Sequence, residues 1–131
     1  MNHWIIPCSP KYFDVVEHFN KSDMIVWKRS SAIEIGDVVY IYVGKPYGQI
    51  KYKCTVVDDR VNKDTLSSNS YAILSRFEDN VRYVQLKKES EYANGILLLN
   101  DLKCHGVGQV QRQARAYKTT IEYIAQFEKE V

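Results

Sequence analysis

Residues 38–43, Val-Val-Tyr-Ile-Tyr-Val, are apolar or aromatic on both sides of a two-residue repeat. Val39, Ile41 and Val43 fall on one side, and Val38, Tyr40 and Tyr42 on the other. β-Branched and aromatic residues favour extended backbone, and a strand apolar on both faces needs cover on both. It belongs in the middle of a sheet. Glu34-Ile35-Gly36-Asp37 reads as the turn that introduces it, and Gly44-Lys45-Pro46-Tyr47-Gly48 as the break that ends it. Residues 50–57 then alternate, with Ile50, Tyr52, Cys54 and Val56 set against Lys51, Lys53 and Thr55, as in a half-exposed antiparallel neighbour. That alternation places the Cys54 sulfur on a core face.

Upstream, residues 4–6 read as a short buried strand, with Trp4 in the core. Ser9 and Pro10 then offer an N-cap followed by proline at the first helical position, so a helix is expected from there. Tyr12, Phe13, Val16 and Phe19 supply its apolar face. A polar turn precedes a second strand over residues 24–27, which runs straight into Lys28-Arg29-Ser30-Ser31. Residues 58–70 are polar apart from Val61 and Leu66, as in a surface loop or short helical excursion. Further strands are expected over residues 71–76 and 81–87, on either side of a turn at Glu78-Asp79-Asn80, and a short buried segment over residues 96–99. Thr119 and Glu122 have capping-box spacing at the head of a closing helix, with Ile121, Ile124, Ala125 and Phe127 on its apolar side. A chain of 131 residues, 45% hydrophobic, can bury one core. The expectation is a single α+β domain over residues 1–131: a curved sheet or pseudo-barrel of five or six strands with flanking helices.

Several functions find no support in the residues. A formal charge of +2 is too mild to imply nucleic-acid binding from bulk electrostatics, so that role needs a local patch. There is neither a leader pattern nor a run of about 18 apolar residues, which points to the cytoplasm and away from a membrane. Cys8, Cys54 and Cys104 lie far apart without Cys-x-x-Cys or His at ligand spacing, so free thiols are expected rather than disulfides or a metal. His3, His18 and His105 stand outside any nucleophile motif, the Gly44–Gly48 turn lacks Walker spacing, and the zinc-deaminase signature is absent. No enzyme and no cofactor is expected on these grounds.

Reading a base swung out of a nucleic acid needs an aromatic plane, hydrogen-bonding groups and cations for the flanking phosphates. Trp27, Lys28, Arg29 and Ser30 offer these types together, although spacing alone favours Trp27 as a core residue ending an apolar strand, and Lys28 and Arg29 read equally as solvated cations or as phosphate contacts. Residues 108–118 form a second candidate, with three Gln, Arg112, Arg115 and Lys118 and no acid; their bland reading is a polar surface loop. Tyr42, near the end of the central strand, is either core or a second aromatic surface.

In chain order, Trp4-Ile5-Ile6-Pro7-Cys8-Ser9-Pro10, then Phe13 and Phe19, then Ile25-Val26-Trp27-Lys28-Arg29-Ser30, then Ile35-Gly36-Asp37-Val38 resemble the opening half of the EVE domain, a PUA-like fold related to the YTH and ASCH domains. The resemblance implies a pocket for one flipped base, with Trp27 as a wall and Cys8 and Ser9 approaching it. It implies phosphate contacts from Lys28, Arg29, Arg112 and Arg115 at the mouth. The partner would be DNA or RNA carrying a modified base, such as methylated or hydroxymethylated cytosine. No cofactor is implied; the chain would act as a monomer, with any effector nuclease encoded separately. The alternative is an ASCH-like enzyme acting on modified nucleosides or RNA, marked by a Lys and a carboxylate converging on the pocket.

Overall fold

A computed structural model describes residues 1–61 and 82–128. The elements run β1 (His3–Cys8), α1 (Val15–Lys21), β2 (Met24–Lys28), β3 (Val38–Val43), β4 (Gln49–Val61), β5 (Tyr83–Glu91), α2 (Leu99–Lys103), β6 (Ala114–Ala116) and α3 (Lys118–Ala125). The strands form one curled sheet in the order β2-β5-β4-β3-β1-β6. As its two-sided apolar pattern requires, β3 lies inside the sheet. It pairs parallel with β1, Trp4 opposite Val39, and antiparallel with β4, Val39 opposite Cys54. Parallel neighbours need a long connection. Here it contains α1 and β2, and β2 pairs with β5 at the far edge.

Each face carries its own core. Ile6, Ile41, Val43, Tyr52, Cys54 and Trp27 pack with Val15 and Phe19 of α1. Ile5, Val38, Tyr40 and Ile50 pack on the other side with Leu102 of α2 and Ile124 of α3. Each fully buried aliphatic side chain contributes about 1.5–3 kcal/mol of hydrophobic stabilisation. Asp37 ties the start of β3 to the start of β1. Only 5% exposed, its carboxylate accepts from the backbone N–H of Asn2 (3.0 Å) and of Glu34 (3.0 Å) and from Trp4 Nε1–H (2.9 Å). Burial alone would raise its pKa, but these three donors hold it below the ordinary value.

Several elements depart from the pattern read in the sequence. α1 begins at Val15, not at Ser9-Pro10: β1 runs on to Cys8, residues 9–13 turn with Tyr12 and Phe13 N–H donating to Ser9 O, and Asp14 Oδ1 caps Glu17 N–H. Tyr12 is therefore exposed, and Phe13 lies ahead of the helix. Pro7 sits within β1 because β6 pairs only with residues 3–5, so its missing N–H costs no ladder bond on that side. Lys51 is buried instead of facing water. Thr119 lies inside α3, whose N-cap position is Tyr117 with no side-chain cap. The expected strand over residues 71–76 falls outside the described residues. Cys8, Cys54 and Cys104 are free.

Candidate nucleic-acid interface

The two cationic stretches, some eighty residues apart, meet through one side chain. Gln113 stands just before β6, and its Nε2 donates to Lys28 O at 2.7 Å while its Oε1 accepts from Ser30 N–H at 3.0 Å and from Ser31 Oγ–H at 2.7 Å. Donating to one residue before Arg29 and accepting from one after it is the pattern a parallel strand neighbour would make. The Gln113 amide thus mimics a strand at the gap between the two edge strands and draws the curled sheet toward closure. Ala114, the next residue, pairs with Ile5, so the end of β2 returns to the level of the middle of β1.

Around this joint the candidate residues take different stations. Trp27, 8% exposed, packs in the same cluster as Trp4, Ile6 and Cys8. Its core reading therefore describes most of its surface. Lys28, the last residue of β2, and Arg29 are half-buried, and Ser30 beyond them is exposed. Arg115 pairs opposite Trp4 on β1, and its guanidinium lies 5.5 Å from the Trp4 ring centroid and 5.4 Å from that of Tyr117. These two cation–π contacts hold it over the face that carries Trp27. Arg112 is exposed and lines a cavity of about 60 Å³ with Ile5, Gly106 and Thr120.

Cys8, Ser9 and Tyr42 stand farther off along the ladder. Cys8 pairs with Val43 at the end of β1, and Ser9 is exposed beyond it. The Cys8 thiol donates to Phe13 O at 3.7 Å; burial, with Asp14 acting in the same direction, pushes its pKa up to about 12, so it is protonated near neutrality. Tyr42 packs with the cluster on the opposite face and is not brought beside Trp27. Burial raises its pKa as well.

A lysine and a carboxylate do converge, but elsewhere. Lys51 Nζ lies 3.5 Å from Glu91 Oε2, donates to Tyr92 O at 2.9 Å and to Asn94 Oδ1 at 2.7 Å, and sits 5.8 Å from the Tyr47 ring centroid. It borders a cavity of about 480 Å³ with Ser90, Tyr92, Phe127 and Glu128. Glu91 lies beyond Lys87, the partner of the first residue of β2, so this cluster is at the opposite end of that strand from Trp27. Sequence reasoning missed Gln113, one glutamine among several in a polar stretch. It also missed Lys51, whose alternation placed it in solvent. Among the described residues no cluster of His, Cys, Asp or Glu could hold a metal, and no described helix is long and apolar enough to cross a membrane.

No protein-family profile matches the sequence, and no curated protein matches it. Solved structures do. The ASCH protein from Zymomonas mobilis superposes with a TM-score of 0.67 at 14% identity, covering 95% of this chain and 94% of that one. A tyrosine-to-phenylalanine mutant of that protein gives 0.69 at 14% identity, covering 96% and 98%. A hypothetical protein from Leishmania major gives 0.64 at 14% identity, covering 96% and 93%. Those whose names give a family are ASCH rather than EVE proteins, and identities this low speak for the backbone alone. The chain has the α+β, PUA-like fold that these ASCH structures share.

Proposed function

We propose that this chain is a nucleic-acid-binding module that receives one modified base, swung out of DNA or RNA, at the closure between the end of β2 and the segment before β6. The observation that carries the reading is the Gln113 clamp, which joins the stretch following Trp27 to the stretch carrying Arg112 and Arg115. Arg115 lies over the face that carries Trp27, so aromatic surface and cations from distant parts of the sequence supply the residue types that flipped-base recognition needs. The sequence resemblance to the EVE domain, a relative of the YTH domain, supports the modified base as ligand, with methylated or hydroxymethylated cytosine and modified RNA bases as candidates. The exposed edge of Trp27 would meet the base, Lys28, Arg29, Arg112 and Arg115 its flanking phosphates, and Ser30 its edge, while Cys8 and Ser9 contribute less directly than the resemblance implied and Tyr42 packs on the opposite face. A binding screen over oligonucleotides with single modified bases tests this reading: tighter binding of one modification than of its unmodified parent supports it, and equal, salt-independent signals throughout refute it.

The second reading, an ASCH-like enzyme acting on modified nucleosides or RNA, draws on the Lys51–Glu91 pair beside its cavity. Lys51 already faces three acceptors, as many as an ammonium has protons, so it serves as a buried peg more readily than as an acid or base. Turnover of RNA or a modified nucleoside that is lost in Glu91→Gln while the fold persists would establish the enzyme instead.

A further inference from the structure

Below the end of β2 a second feature remains unexplained by the clamp. Arg29 N–H donates to Arg82 O at 2.8 Å, which extends the β2–β5 ladder by one step beyond Lys28 and Tyr83. Arg29 and Arg82 therefore stand directly opposite one another. Like charges in that position destabilise a sheet. Arg60, near the end of β4, completes a triangle: all three line a cavity of about 280 Å³ to which Glu34 and Asp59 also contribute among the described residues. No ion pair among the described residues joins any of the three guanidiniums to a carboxylate. Asp59 Oδ2 is instead taken by Ile35 N–H at 2.9 Å. Moreover, Arg29 Nε is buried and has no hydrogen-bond partner among the described residues. Buried polar atoms are almost always paired, and an orphan asks what would pair with it.

We infer that Arg29, Arg60 and Arg82 form a phosphate-binding site, whose ligand is the backbone phosphate next to the base received beside Trp27. Guanidinium forks match the several acceptor oxygens of a phosphate, and such an anion would satisfy the Arg29 Nε–H and neutralise the cross-strand repulsion together. The position suits the task. Arg29, one residue past the end of β2, is two residues from Trp27, and Arg82 is two residues from Val84, the cross-strand partner of Trp27, so the anion would lie one strand repeat from that ring on the same face. Among the described residues, Glu34 and Asp59 line the same cavity opposite three arginines, which restricts the anion to the arginine side. The ligand assignment rests on the nucleic-acid reading above; the anion site itself does not.

The test follows the arginine Nε–Hε resonances of the full chain by NMR, titrating first inorganic phosphate and then a single-stranded 8-mer. Both probes are expected to shift the Arg29 resonance, and Arg60→Gln and Arg82→Gln to abolish the phosphate response and each flatten the oligonucleotide salt slope by about one unit. Because either change removes a repelling cation, the melting temperature in phosphate-free buffer is expected to hold or rise, which separates loss of binding from loss of fold. If the 8-mer binds while the Arg29 resonance and the salt slopes of both variants stay unchanged, the phosphate site is refuted and the nucleic-acid reading survives. If phosphate shifts Arg29 but no oligonucleotide binds, the anion site stands and the nucleic-acid reading fails. If neither probe moves Arg29, the site is refuted outright.

Discussion

Asp37 shows how one side chain can fix a fold locally. Its carboxylate gathers the Asn2 and Glu34 amides and the Trp4 indole, so the β1 and β3 starts are registered by a single buried charge. With its pKa depressed in the folded chain, it contributes stability fully present above the unfolded value of about 3.9 and lost as pH falls through the lower folded value. Asp37→Asn should therefore cost about 1.5–3 kcal/mol at neutral pH, and the gap from wild type should narrow as denaturation is repeated at successively lower pH below about 4. A pH-independent gap would mean that shape rather than charge matters there. Trp27 needs two substitutions because most of it is core. Trp27→Ala is expected to destabilise the chain by about 3–5 kcal/mol. Trp27→Phe keeps an aromatic ring in the cluster, and should lose part of the roughly 1–3 kcal/mol that a stacked base supplies while unfolding cooperatively. Unchanged affinity for a modified oligonucleotide in Trp27→Phe would confine the residue to the core.

At the scale of elements, what the sequence disclosed follows from how strongly each element depends on periodicity. β3 was legible because both of its faces are buried and six consecutive residues say so. Cys54 was legible for the same reason on one face of β4, with 0% exposure. The start of α1 was misread because Ser9-Pro10 carries a genuine capping signal that a longer β1 and a turn overrode, leaving Asp14 as the cap. β6, three residues with only Ala116 buried, and α2, five residues long, are too short to show a period. The candidate mouth was half legible. Residue types marked Trp27 to Ser30 and the basic stretch, but their meeting depends on Gln113, which no local pattern distinguishes. Gln113→Ala removes three hydrogen bonds from a partly exposed joint and should cost about 1–3 kcal/mol. Its more specific signature is local: the Ser30 amide, protected by Gln113 Oε1, should exchange with solvent much faster in the variant while amides of β3 stay protected. Equal Ser30 exchange in both proteins would show that the two edges are held together by something else.

For the whole molecule, a mild net charge conceals an uneven surface. Lys28, Arg29, Arg112 and Arg115 come from two segments that Gln113 joins, so on the proposed reading they would neutralise phosphates locally without the chain being basic in bulk. Stacking of one base supplies only about 1–3 kcal/mol, which leaves phosphate contacts to provide much of any useful affinity and makes that affinity fall with salt. On the proposed reading base preference and salt dependence should then separate, because the cations would meet the backbone and Trp27 and Ser30 the base. The most direct measurement is the affinity of wild type and of the Arg112→Ala/Arg115→Ala variant for a modified oligonucleotide and its unmodified parent, across a range of salt concentrations. The expected result is a linear fall of log affinity with log salt, flattened by up to about 2 units in the variant for both strands, with the preference for the modified base retained. Binding that ignores salt, or a slope unchanged by the double replacement, would contradict the assignment of this mouth as the nucleic-acid interface.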